Sequence, residues 1–258
     1  MKAIYSLLFL SAVVVSGACK KNANGSDVQI LPPDARMYRI VQGIDPDIKK
    51  DTVFLISYND SGYISHLLDS THQQTMIPVY DYTGKLIRID QSLHGKAEFS
   101  YDSTGLLQEV LTGTGDKIVF HYTNGVVRRK TVYSPSFEGP LQVLRYYDYT
   151  VTNGNITTIE EHAGSGYLLT TSVLAYTTEE NPFRQLGLFT FQKGLGTTHL
   201  IEPESFFNRN LLKSVTTNTT PIISNEYTFN EQHLPVKSQT KLLYAPASGL
   251  VTRQFMYR

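Results

Sequence analysis

Apolar and polar residues alternate in short runs along most of this chain, and turn signals cut each run. In Lys117-Ile118-Val119-Phe120-His121-Tyr122, Ile118, Phe120 and Tyr122 fall on one face. That period of two marks a strand. The same rhythm predicts strands over 37–41, 53–58, 141–149, 156–161, 167–176, 213–215, 222–229, 236–243 and 251–257. No long stretch carries the three-to-four spacing of an amphipathic helix.

The turn signals share one phrase: an aromatic, an Asn or Asp, two free positions, a Gly and an apolar residue. It reads Tyr80-Asp81-Tyr82-Thr83-Gly84-Lys85-Leu86 and Tyr101-Asp102-Ser103-Thr104-Gly105-Leu106-Leu107, and is shortened at Tyr122-Thr123-Asn124-Gly125. An earlier copy runs Tyr58-Asn59-Asp60-Ser61-Gly62, and a late one Phe229-Asn230-Glu231-Gln232-His233-Leu234. Asn59, Asp81, Asp102 and Asn230 can accept hydrogen bonds from amides two or more residues on, which favours a type I turn. Gly62, Gly84 and Gly105 suit the left-handed position that closes a bulged hairpin loop, and His tolerates it better than a β-branched residue does. Asn124-Gly125 and Asn153-Gly154 are two-residue hairpin signals.

The tyrosines at 58, 80, 101 and 122 are spaced by 22, 21 and 21 residues. That interval holds two strands of about six residues and two turns. A lone hairpin cannot bury its aromatic face, so the hairpins must pair side by side. The expected fold is all-β: a long, twisted and curled antiparallel meander, half-barrel-like at most. Asn181 to Leu212 breaks the rhythm, with Gly187, Gly194 and Gly196 and then Pro203-Glu204-Ser205-Phe206-Phe207. Pro203 suits the first turn of a short helix, and one short helix or helical turn is predicted near 203–212.

The phrase at Tyr80–Leu86 and Tyr101–Leu107 resembles the YD repeat of Rhs-type β-hairpin proteins. The whole chain, with degenerate copies behind an export signal, resembles the YD-like lipoproteins of bacterial envelopes. That resemblance implies a hairpin-built envelope protein and brings no catalytic residues with it.

The first eighteen residues read as a lipoprotein signal peptide: Lys2, apolar Ile4 to Val15, then small Ser16-Gly17-Ala18 before Cys19. The apolar run is shorter than the about twenty residues of a membrane span. Cys19 is the one cysteine in the sequence and stands where a bacterial lipobox puts its lipidated residue. Acyl chains there would hold the protein to a membrane, at about 0.8 kcal/mol per buried CH₂. Lys20-Lys21, with no Asp directly after Cys19, favours the outer membrane in the terms of that resemblance, in either leaflet. Residues 19–35 form the lipidated Cys and a polar tether, and 36–258 a single all-β domain.

Without the signal the formal count is 22 basic against 23 acidic residues, a net of −1. A near-neutral chain without a basic block points away from nucleic acid. Seventeen Tyr and twelve Phe with no Trp fit a strand-rich composition. The seven histidines show no His-x₃-His spacing, so no metal and no cofactor is expected. Glu160-Glu161 and Glu179-Glu180 are the carboxylate pairs a glycosidase would need, but strand neighbours point to opposite faces. Loops on a rigid sheet are where binding usually resides, which makes Phe183, Phe189, Phe191, Phe206 and Phe207 the candidate ligand-binding residues. The alternative is that they cap one end of the sheet and cover core that a further hairpin would have covered. The expected function is a non-catalytic binding or interaction scaffold for a glycan, lipid or protein. The alternatives are an envelope polysaccharide hydrolase and a carrier of lipid or hydrophobic cargo.

Overall fold

The structure, a computed structural model, describes residues 36–45, 52–92, 95–136, 139–191, 203–243 and 249–258. The expected signal peptide, Cys19 and most of the tether lie outside them. Sixteen strands follow in order: β1 (Met37–Asp45), β2 (Thr52–Tyr58), β3 (Ile64–Asp69), β4 (Gln74–Tyr80), β5 (Leu86–Gln91), β6 (Gly95–Tyr101), β7 (Leu107–Leu111) and β8 (Lys117–Thr123). Then come β9 (Val126–Ser136), β10 (Gly139–Thr152), β11 (Asn155–Ala163), β12 (Leu168–Glu180), β13 (Asn210–Thr217), β14 (Thr220–Phe229), β15 (Pro235–Leu242) and β16 (Leu250–Tyr257). Each pairs antiparallel with its neighbour in sequence, and β1 pairs with β16.

The expectation of an open or half-barrel meander is therefore corrected: the barrel is closed. Arg39 to Asp45 lie opposite Met256 to Leu250, and the Arg258 amide donates to the Arg36 carbonyl at 3.1 Å. The physical reason is the edge. An open sheet of this length would leave two rows of unpaired backbone groups, and closure removes both.

One rim carries the connections β2–β3, β4–β5, β6–β7, β8–β9, β10–β11, β12–β13 and β14–β15, together with the β16–β1 seam. At this rim all eight strand pairs carry one extra residue just inside the turn: Ser65, Ile87, Gln108, Arg128, Thr157, Lys213, Val236 and, at the seam, Tyr38. Such bulges bend a strand and increase its twist, and they concentrate at barrel rims. Eight of them at one height curl the sheet into a ring.

The hydrophobic core lies inside the ring. Phe54, Ile56, Leu67, Met76, Ile89, Ala97, Phe99, Val110, Ile118 and Phe120 point inward and are buried. Outward positions carry ion pairs instead: Lys117–Glu109 at 2.6 Å, Arg129–Asp148 at 2.6 Å, Lys96–Glu98 at 2.6 Å and Lys241–Glu226 at 3.1 Å. A membrane-spanning barrel needs the opposite arrangement, an apolar outer band about 25 Å tall, and each cation at its midplane costs about 2–4 kcal/mol. The outer face also exposes apolar residues such as Leu55, Ile77 and Val173, so charged pairs and apolar side chains are interspersed there while the inner face is mainly apolar.

The short helix or helical turn expected near 203–212 is present as a helical turn that ends early. A single 3₁₀ turn spans Pro203–Phe206, and Asn210–Thr217 is strand β13. A single α-helical turn, α1, lies at Arg184–Gly187 and runs into a second 3₁₀ turn at Leu188–Phe191. Helical growth past Phe206 stops where Asn208 commits its side chain to the Ile156 amide and Asn210 commits its side chain and amide to Asn155.

Candidate functional site

Barrels of sixteen to eighteen strands in porins enclose an aqueous channel. Here the described parts of the β12–β13 connection, 181–191 and 203–209, fold inward and occupy the lumen at the bulged rim. Phe183, Leu186, Leu188, Phe189 and Phe206 are all buried in the same core as the strands. The Phe183 ring lies 4.8 Å from Phe255, Phe206 lies 5.1 Å from Phe207, and Phe207 lies 5.2 Å from Phe120. Four of the five phenylalanines singled out in the sequence thus belong to this core, Phe183, Phe189 and Phe206 buried in it and Phe207 packed against it. Phe191 closes the second 3₁₀ turn. At Gly187 a side chain has no room, because a Cβ would sit 2.7 Å from the Phe206 amide nitrogen.

Four asparagines fasten both ends of this plug. Asn181 donates from Nδ2 to the Ser205 and Asn208 carbonyls at 3.1 and 3.3 Å and accepts from the Phe183 amide at 3.0 Å. Asn208 Oδ1 accepts from the Ile156 amide at 2.8 Å. Asn210 accepts from Asn155 Nδ2 at 2.9 Å and returns its own amide to Asn155 Oδ1 at 2.8 Å. The plug is thereby pinned to the β10–β11 turn rather than hung from its own strands alone.

Below the plug, against β13–β16, lies a cavity of about 80 Å³. Phe183, Phe255 and Leu211 supply its apolar wall, and Asn225, Thr240 and Arg253 its polar one. Arg253 is 4% exposed. Its Nε donates to Gln42 Oε1 at 3.0 Å and its Nη1 to Thr240 Oγ1 at 2.7 Å. Thr240 Oγ1 donates onward to Asn225 Oδ1 at 2.6 Å, and Asn225 Nδ2 to the Leu212 carbonyl at 3.0 Å. Burial is the main influence on the guanidinium and pushes it down to about 10, still far above neutrality. It is therefore a cation held in the lumen. The alternation pattern gives no hint of it, because Arg253 occupies an inward position where an apolar residue is expected.

The paired carboxylates behave as strand neighbours do. Glu161 accepts from Arg145 and from Thr170 Oγ1 at 3.2 Å, while Glu160 lies 3.9 Å from the outward His162. Glu180 reaches Arg209 at 3.9 Å. No group of three or more metal-ligating side chains converges among the described residues.

No protein-family model matches the chain, and no curated protein does either. The resemblance to YD repeats therefore rests on the residues quoted above. Among solved structures, the chain is similar to a porin-like protein from Bacteroides vulgatus ATCC 8482, at 12% identity and TM-score 0.49, covering 87% of this chain and 99% of that one. A porin-like protein from Bacteroides uniformis ATCC 8492 follows at 9% identity and TM-score 0.45, with 88% and 98% covered. The TcdB2-TccC3 structure without its hypervariable C-terminal region is similar at 13% identity and TM-score 0.33, over 79% of this chain and 10% of that one. Identities of 9–13% and TM-scores below 0.5 transfer nothing of those proteins' roles to this chain.

Proposed function

We propose that the chain is a lipid-anchored protein of the bacterial outer membrane whose plugged barrel is a non-catalytic binding or interaction scaffold. The observation that carries this reading is the sidedness of the wall. Ion pairs are spread over its outside among scattered apolar residues, and a plugged apolar core fills its inside, so on this reading the barrel stands in water and reaches the membrane through something else. The signal-like segment ending at Cys19 supplies that link. β1 enters at the bulged rim, so the tether from Cys19 leaves from the plugged end. The opposite rim, with the turns at Thr112–Asp116 and Ala163–Tyr167, then faces away from the membrane.

Radioactive palmitate tests the anchor. Wild-type protein should take up label and stay with membranes, whereas Cys19→Ala should lose both properties. Equal labelling of the two would refute the anchor.

A further inference from the structure

One unit of the repeat treats its tyrosine differently from its neighbours. Tyr58, Tyr80 and Tyr101 donate to the carbonyls of Met37, Ile64 and Leu86. The residues just before those carbonyls, Arg36, Tyr63 and Lys85, therefore hold equivalent positions. In the units on either side, that position is a cation lying on the tyrosine ring: Arg36 over Tyr58 at 5.7 Å and Lys85 over Tyr101 at 5.3 Å. In the middle unit it is Tyr63, whose ring stacks on Tyr80 at 5.0 Å. Gly84 makes the room, because a Cβ there would run into the hydroxyl end of Tyr63. Two rings are thus covered by the chain's own positive charge and the third by another ring.

Beside this stack, between the β2–β3 and β4–β5 turns, opens a cleft of about 640 Å³. Small-molecule pockets span about 300–1,000 Å³. Tyr63, Tyr80, Asp81 and Tyr82 line the cleft together with Asn59 and Ser61, and no Lys, Arg or His is among the residues lining it. Tyr82 is 100% exposed. It occupies a position of the phrase where other copies carry Asp60, Ser103 and Glu231. The Thr83 hydroxyl, then the Lys85 amide, hold Asp81 below the ordinary carboxylate range, and the charge of Lys85 contributes least. The cleft therefore combines aromatic faces with a fixed negative charge.

We propose that this cleft binds a substituted ammonium ion, with the Tyr63 and Tyr82 rings against the cation and Asp81 supplying the opposite charge. The negative face of an aromatic ring attracts a cation, and quaternary ammonium groups are held this way between rings. The carboxylate, with no base in the lining, turns anions away. The ligand brings the positive charge that Arg36 and Lys85 supply in the adjoining units. β1 enters at this same rim, so in the orientation proposed above the cleft faces the membrane. There an ammonium group comes from a lipid headgroup or from a free amine, and both present the same chemistry. The proposal deepens the scaffold reading by naming a ligand class, and it rests on that reading for the orientation alone.

Saturation-transfer NMR on the choline methyl signal tests it, with the full-length protein in dodecyl maltoside. The expected result is saturable binding with a Kd below about 10 mM, and none of 3,3-dimethylbutanol, the uncharged isostere of choline. Tyr82→Leu should weaken choline about threefold or more, the loss of one exposed cation–π contact. Its melting temperature should not change, because the Tyr82 ring is fully exposed. Asp81→Asn should also weaken choline about threefold or more, the loss of one exposed charge, while keeping the turn bonds that Asn59 and Asn230 make in other copies. Tyr63→Lys copies the arrangement of Lys85, places an internal cation at Tyr80 and should abolish binding. If it does not fold, Tyr82→Leu and Asp81→Asn decide the matter. Dihexanoyl phosphatidylethanolamine binding more tightly than ethanolamine assigns the site to lipid headgroups, and equal affinity assigns it to free amines; either supports the site. No saturable choline signal up to about 10 mM overturns it. So does equal binding of the uncharged alcohol, or wild-type affinity in the variants. Each of these failures leaves palmitate labelling at Cys19 untouched, so site and anchor are judged separately.

Discussion

The tyrosine of the repeated phrase has a specific partner, which explains why an aromatic with a hydroxyl stands there. A bulge leaves a backbone carbonyl without its ladder partner, and the tyrosine of the neighbouring unit supplies the missing donor. Tyr80 donates to the Ile64 carbonyl at 2.9 Å, Tyr101 to Leu86 at 2.8 Å and Tyr122 to Leu107 at 2.7 Å. Tyr176 serves Ile156 at 2.7 Å, Tyr257 serves Pro235 at 2.9 Å and Tyr58 serves Met37 at 2.9 Å. Where Phe229 replaces the tyrosine, Tyr227 serves the Leu212 carbonyl at 2.9 Å instead. Burial raises the pKa of Tyr80, Tyr101, Tyr122 and Tyr257, so they remain donors at any physiological pH. Tyr101→Phe should therefore cost about 1–3 kcal/mol, the cost of leaving a buried carbonyl unsatisfied. Denaturant titration measures it, and an unchanged midpoint would mean the hydroxyl contributes nothing.

The Asx residues work in the turn itself. Asp102 Oδ1 accepts from the Thr104 amide at 2.8 Å, its hydroxyl at 2.7 Å and the Leu106 amide at 2.9 Å, and Asp81 repeats the set with Thr83 and Lys85. Gly105 follows at φ +91°. The Thr104 hydroxyl, then the Leu106 and Thr104 amides, hold Asp102 below the ordinary carboxylate range, and the Thr83 hydroxyl does the same for Asp81. A depressed folded pKa stabilises above the unfolded carboxylate range and loses that contribution as pH falls through the folded value. Asn59 and Asn230 accept the same kind of bonds without titrating. The double variant Asp81→Asn/Asp102→Asn should therefore lose less stability than wild type between about pH 5 and pH 2, the window of carboxylate titration. Parallel acid-melting curves for the two proteins would count against the turn account.

At the scale of elements, the hairpins are legible in the sequence because turn chemistry and alternation are both local. Asp81, Gly84, Asp102 and Gly105 can be read without knowing what lies beside them. The plug is not legible in that way. Phe183, Phe189 and Phe206 mark an interruption, but their destination depends on how much lumen the ring leaves open. Asn155, Asn181, Asn208 and Asn210 look like ordinary loop residues until the fold brings positions 155 and 210 together. The helical element expected near 203–212 stops after one turn for that reason, since Pro203 signals a helical start and no local signal records that Asn208 belongs to the Ile156 amide. Asn208→Ala leaves that buried amide without its acceptor and should destabilise the barrel by about 1–3 kcal/mol. The thermal melt should stay cooperative, because the strands remain paired. A melting temperature equal to wild type would show that the plug is not pinned there.

At the scale of the molecule, the count of units is hidden by their unequal lengths. The tyrosine interval of 22, 21 and 21 residues is plain only in the first half. Beyond Tyr122 the long strands β9 to β12 and the plug stretch it, and the eighth unit is the seam, whose members Met37 and Tyr257 are opposite ends of the domain. No local pattern announces that these two ends meet, so a half-barrel is as far as alternation leads. The sidedness of the wall, by contrast, is written in the short strands of the first half: in β6, Ala97 and Phe99 point in while Lys96, Glu98 and Ser100 point out. That sidedness separates a barrel standing in water from one embedded in lipid. It is tested by single cysteines at outward positions Ile77, Ser100 and Gln254 in the lipidated protein in sealed vesicles, exposed to a water-soluble maleimide. The account predicts fast labelling at all three sites, at the rate of a free thiol in solution. Protection of these positions by lipid, as in a barrel that spans the bilayer, would contradict it.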